Sequence, residues 1–73
     1  MSAHHRHLLR RFKRQLAARG LAVGVHLTRD PAWMGGRWVC LVRRGDGRGP
    51  LIAVGEHARR VTAIRNAFGG ITP

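Results

Sequence analysis

Seventy-three residues with fourteen Lys+Arg against three Asp+Glu give a formal net charge of +11. A chain this short reads as one small basic domain, residues 1–73, with a thin core, which excludes an elaborate buried active site. A charge this one-sided costs self-repulsion and implies a polyanionic partner. Thirteen of the fourteen cations are arginine, the better residue for bidentate phosphate contact and for stacking on bases.

In chain order, Ala3 to Arg19 reads as a helix, with Ser2 placed to cap its start and Gly20 just past its end. Leu8, Leu9, Phe12 and Leu16 fall within one arc, while Arg6, Arg10, Lys13 and Arg14 lie on the opposite side. The helix is therefore amphipathic and strongly cationic, and the strands that follow need covering, so core packing is favoured over a membrane surface. Leu21 to Thr28 alternates apolar and polar residues as a half-buried strand does. Arg29 to Gly36 reads as a loop, carrying Trp33 and Met34 at its tip. Arg37 to Arg44 is a second strand, apolar at both parities through its middle. Gly45 to Pro50 is a turn with a hairpin signal at Asp46-Gly47. Leu51 to Val54 is a short third strand, which Gly55 is expected to break. Glu56 to Phe68 reads as a closing helix, with Val61, Ile64 and Phe68 on one face.

The order α-β-β-β-α predicts an α+β fold: a three-stranded antiparallel sheet with two helices on one face. Cys40 is the single cysteine, so neither an intrachain disulfide nor a cysteine-based metal site can form, and its apolar surroundings make it a buried small hydrophobe. No apolar run is long enough to span a membrane, and the basic N-terminus lacks the continuous apolar stretch of a secretory signal. A cytoplasmic protein without cofactor is the expectation. The cluster His4, His5 and His7 lies at a helix end with no acidic or cysteine ligand nearby, and reads as a solvated terminus with no metal site.

Arg10, Lys13, Arg14, Arg37, Arg43, Arg44, Arg48, Arg59, Arg60 and Arg65 are the candidate phosphate contacts, with Trp33 as a base-stacking or partner-docking residue. Arg59 and Arg60 fall in the first turn of the closing helix, where free N–H groups and the dipole favour an anion. If the turn at 45–50 and that helix start lie on the same side, Arg43, Arg44, Arg48, Arg59 and Arg60 join into one patch. His26 and His57 are the weak candidates for a general acid and base, provided they meet across the sheet.

Gly20-Leu21, Gly35-Gly36-Arg37-Trp38, Asp46-Gly47, Val54-Gly55-Glu56-His57 and Arg65 to Thr72 together carry a resemblance. The chain resembles the double-stranded-RNA-binding-domain fold. It resembles more closely the HicA-type toxins, which share that fold and cleave messenger RNA. It is also similar to short Arg-rich proteins encoded by phages of G+C-rich bacteria. The resemblance implies RNA affinity, with DNA phosphates able to satisfy the same arginines. It places the family's catalytic histidine at Arg37, and an arginine stays protonated and cannot act as a general base. The expectation is a non-catalytic nucleic-acid-binding protein, monomeric or weakly dimeric. The alternatives are a HicA-type ribonuclease and a viral protein that inhibits a host protein through Trp33 and the basic surface.

Overall fold

The computed structural model describes residues 3–29 and 36–71. Its elements run α1 (Ala3–Ala17), β1 (Val23–Arg29), β2 (Trp38–Arg44), β3 (Leu51–His57) and α2 (Arg60–Gly69). The sheet has the order β1-β2-β3 and both pairings are antiparallel. The expected α+β layout, with both helices on one face of the sheet, is the observed one.

Strand alternation decides which side chains meet the helices. Val25 pairs Val42 and Leu27 pairs Cys40, and on the other side Cys40 pairs Gly55 and Val42 pairs Ala53. This face buries Val23, Cys40 and Val42 against Leu8 and Leu16 of α1 and Ala63, Ile64, Ala67 and Phe68 of α2. Leu9, Phe12, Trp38, Ile52 and Val61 are half-buried around that centre. The Phe12 and Phe68 rings stack at 4.7 Å between centroids and 11° between planes, and fasten one helix to the other. Across the sheet, the face bearing His26, Leu41 and Val54 has no helix on it.

The third strand is longer than its sequence suggests, and the last helix starts later. Gly55 does not break β3; it lies buried inside it. Glu56 and His57 are strand residues, and α2 begins at Arg60 with Arg59 as its N-cap. The reason is packing. A Cβ at position 55 would run into the Ala63 carbonyl and the Ala67 backbone, so the glycine is the place where helix and strand backbones touch. Ala63 and Ala67, rather than Val61, share the floor of α2 with Ile64 and Phe68 because only small side chains fit over that contact.

A second glycine serves the opposite face. A Cβ on Gly24 would collide with the Gly47 backbone, so the β2–β3 turn curls over the helix-free side of the sheet. There Gly45 and Gly47 have φ of 78° and 98°, a backbone region open mainly to glycine. The Arg48 amide donates to Asp46 Oδ1 at 3.1 Å and closes the turn.

Two predictions concern this core. Gly55→Ala should cost about 3 kcal/mol, the upper part of the overpacking range. Gly69→Ala, with nothing within 4 Å of the new Cβ, should gain about 0.5 kcal/mol by narrowing the unfolded ensemble. Urea denaturation followed by circular dichroism measures both. Burial also pushes the Cys40 thiol up from 9.0 to about 11. The unfolded thiol ionises first, so this contribution to stability is full below pH 9.0 and is lost as pH rises toward about 11. Cys40→Ala should lack that part of the alkaline decline, as read by pH-resolved melting.

Candidate nucleic-acid interface

The antiparallel sheet gives the molecule two ends. At one end lie the last residue of β1, the first of β2, the last of β3 and the start of α2. Trp38 pairs with Arg29 on one side and with His57 on the other, so the indole stands at the centre of that end. The Arg60 guanidinium lies 4.4 Å from the Trp38 ring centroid and that of Arg29 lies 5.9 Å away. Both are within reach of the ring's negative face. Arg29 Nε also donates to the Gly36 carbonyl at 2.9 Å.

Arg60 is held a second time, through Nη1 to His5 Nδ1 of α1 at 3.3 Å. A guanidinium has only donors, so in this contact His5 Nδ1 is the acceptor. At His57 the Arg59 amide donates to Nδ1 at 3.0 Å, which settles the bend between β3 and α2. The α2 N-terminus has neither a side-chain cap nor an acidic residue in its first turn. Its leading N–H groups and Arg59 and Arg60 therefore point positive potential at the same end. Arg60 Nε is buried without a hydrogen-bond partner.

From this end α1 carries the charge onward. Arg6, Arg10, Arg11, Lys13 and Arg14 are all exposed, and His7, Arg10, Arg11, Arg14 and Gln15 line a shallow recess along the helix. Fifteen residues make a helix about 22 Å long. The cationic layer thus runs from the α2 start along the outer face of α1.

Not every candidate joins it. Arg43 and Arg44 stand at the other end of β2, five and six residues or about 17–20 Å from Trp38, and Arg48 lies in the turn beyond them. The expected union of the hairpin arginines with Arg59 and Arg60 therefore does not form. Arg43 is held by the Gly49 carbonyl at 3.4 Å, and it borders a recess with His26 and Leu41 beneath the Asp46–Gly47 turn. Arg37 is turned toward the helix-free face, where its Nε lies 3.6 Å from Glu56 Oε1. Arg65 is exposed on α2. Trp33 lies outside the described residues.

The two histidines singled out for acid–base work do not meet. His26 pairs with Leu41 and belongs to the helix-free face, whereas His57 pairs with Trp38 on the helix-bearing side. They are two strand spacings apart laterally and three residues apart lengthwise, about 10 Å each way. Among the described residues no group of His, Cys, Asp or Glu could hold a metal ion, and no helix is long and apolar enough to cross a membrane.

Arg29 and Trp38 organise the site, although no local signal in the sequence singles them out. In the sequence Arg29 reads as the first residue of a loop; its place opposite Trp38 follows only from the register. Arg11 joins the cations of α1, its exposure following from its place on the polar side of the helix.

The Trp38–Arg60 contact makes a measurable claim. A double-mutant cycle of Trp38→Leu with Arg60→Met should return a coupling of about 0.5–1 kcal/mol in urea unfolding. A value at zero would mean that the two side chains stabilise the fold independently. No family model, curated protein or solved structure matches the chain.

Proposed function

We propose that this chain is a small non-catalytic nucleic-acid-binding protein that takes RNA in preference to DNA. The observation that carries the reading is the cationic layer from Arg59 and Arg60 at the α2 start along Arg6, Arg10, Arg11, Lys13 and Arg14 of α1. Arg29 shares the Trp38 end with Arg60, and Arg37, Arg43, Arg44, Arg48 and Arg65 strengthen the long-range field around the layer. The α-β-β-β-α order, which resembles the double-stranded-RNA-binding fold, favours RNA. The separation of His26 from His57, and Arg37 at the position where the resemblance expects a histidine, argue against cleavage.

Phosphate contacts release counterions, so affinity must fall linearly with salt on logarithmic axes. Each contact removed should lower the slope by about 0.7–0.9. Arg59→Ala with Arg60→Ala should therefore reduce it by nearly twice that, and Arg10→Ala with Arg14→Ala by a similar amount. Arg43→Ala with Arg48→Ala, at the far end, should change it least. Fluorescence anisotropy with double-stranded RNA, single-stranded RNA and duplex DNA, with RNA integrity checked in the same samples, measures all three. Absence of affinity at low salt, or affinity indifferent to Arg59 and Arg60, would sink the proposal.

A further inference from the structure

We propose that the outer edge of β3 is a self-association surface, on which a second copy of this chain adds its own β3 antiparallel. The two sheets would then run on as six strands, with the two Val54 side chains facing each other across the seam. The strand has the features such a seam requires. It is an edge of the sheet, and among the described residues the only side chain bonded to its backbone beyond the ladder and the α2 bend is Asn66, which donates to the Glu56 carbonyl at 3.3 Å. An uncovered edge is a template for another strand. Among the described residues the exposed large hydrophobics, Leu51 at 44% and Val54 at 50%, both belong to it.

Charge selects this edge over the other one. Two chains of +11 repel, so they can approach closely only where cations are absent. Among the described elements β3 alone contains no Lys or Arg, and it carries the single Glu of the sequence, Glu56. The opposite edge, β1, ends in Arg29 and lies beside α1 with its five cations. Natural edges are commonly protected by lysine, proline or a short length. Here β3 runs for seven residues with neither residue inside it. A two-fold axis through the seam and normal to the sheet leaves both helical layers on the same side. The surface used for polyanions then stays open and is doubled.

Sedimentation velocity on nucleic-acid-free protein tests this. Self-association should strengthen from low salt to 0.15 M, where screening shortens the range of repulsion to about 8 Å. That is opposite to the direction of phosphate binding. Val54→Lys places like charges across the seam and should weaken association about tenfold or more. Its thermal melt should match that of the parent chain, because position 54 lies outside the core. Leu51→Lys should act the same way. A parent chain that stays at its 8.1 kDa monomer mass at high concentration in 0.15 M salt overturns the proposal. So does association that fades as salt rises, or a folded Val54→Lys chain that associates as well as the parent.

Discussion

The backbone contact between Gly55 and the Ala63–Ala67 turn of α2 is the constraint on which the rest of the structure depends. A helix normally stands off a sheet by the length of the side chains between them. Here one position has no side chain, and α2 settles directly onto β3. That depth brings Ile64 and Phe68 fully into the core beside Cys40 and Val42. Phe68 in turn presents the ring on which Phe12 stacks, so the place of α1 is set through α2. The same contact fixes the other end of the helix. With Ala63 and Ala67 pinned over Gly55, the first turn of α2 has to rise beside the end of β3, and Arg60 arrives over Trp38.

The second organising fact is how the cations are held. Three acids cannot neutralise fourteen bases, and the protein does not depend on them to do so. Arg29 is oriented by a carbonyl and an indole, Arg60 by the same indole and an imidazole, and Arg43 by a carbonyl. Neutral acceptors fix the direction of a guanidinium without cancelling its charge. Arg37 near Glu56 is the contrasting case, where a carboxylate offsets part of the field. Half-exposed on both sides, that pair adds little stability. Within the described core no charged or polar residue is buried, so the charge is carried wholly by the surface and by its half-buried border.

Much of this was legible in the residues. Alternation in LAVGVHLT and the arc of Leu8, Leu9, Phe12 and Leu16 report local geometry, and β1 and α1 formed where those signals lay. The turn at Asp46-Gly47 was equally local. What could not be read was whatever depends on two distant segments meeting. Gly55 has the composition of a strand breaker, and only the approach of Ala63 and Ala67 makes it a strand residue. The union of the hairpin arginines with the α2 start failed for a similar reason. The hairpin enters β3 and the α2 start leaves it, so the two stand at opposite ends of that strand. His26 and His57 were separated by parity: one faces away from the helices and the other toward them, a distinction that required the β3 boundary to be right. Trp38 acquires its two arginine neighbours only through the pairing register and the approach of α2.

The way α1 is attached has a consequence for order as well as for shape. The helix meets the rest of the protein through Leu8, Leu9, Phe12 and Leu16, with His5 bonded to Arg60. Its outer side repeats cations at positions 6, 10 and 14, spaced one helical turn apart, with no acid among its fifteen residues. Like charges at that spacing weaken a helix from within. α1 is therefore held by fewer tertiary contacts than the sheet and α2, the condition under which a segment opens first. An anion that neutralised those positions would favour the helical form, so occupancy and helicity would rise together. The backbone amides of α1 would then be the ones whose hydrogen exchange slows most on such binding.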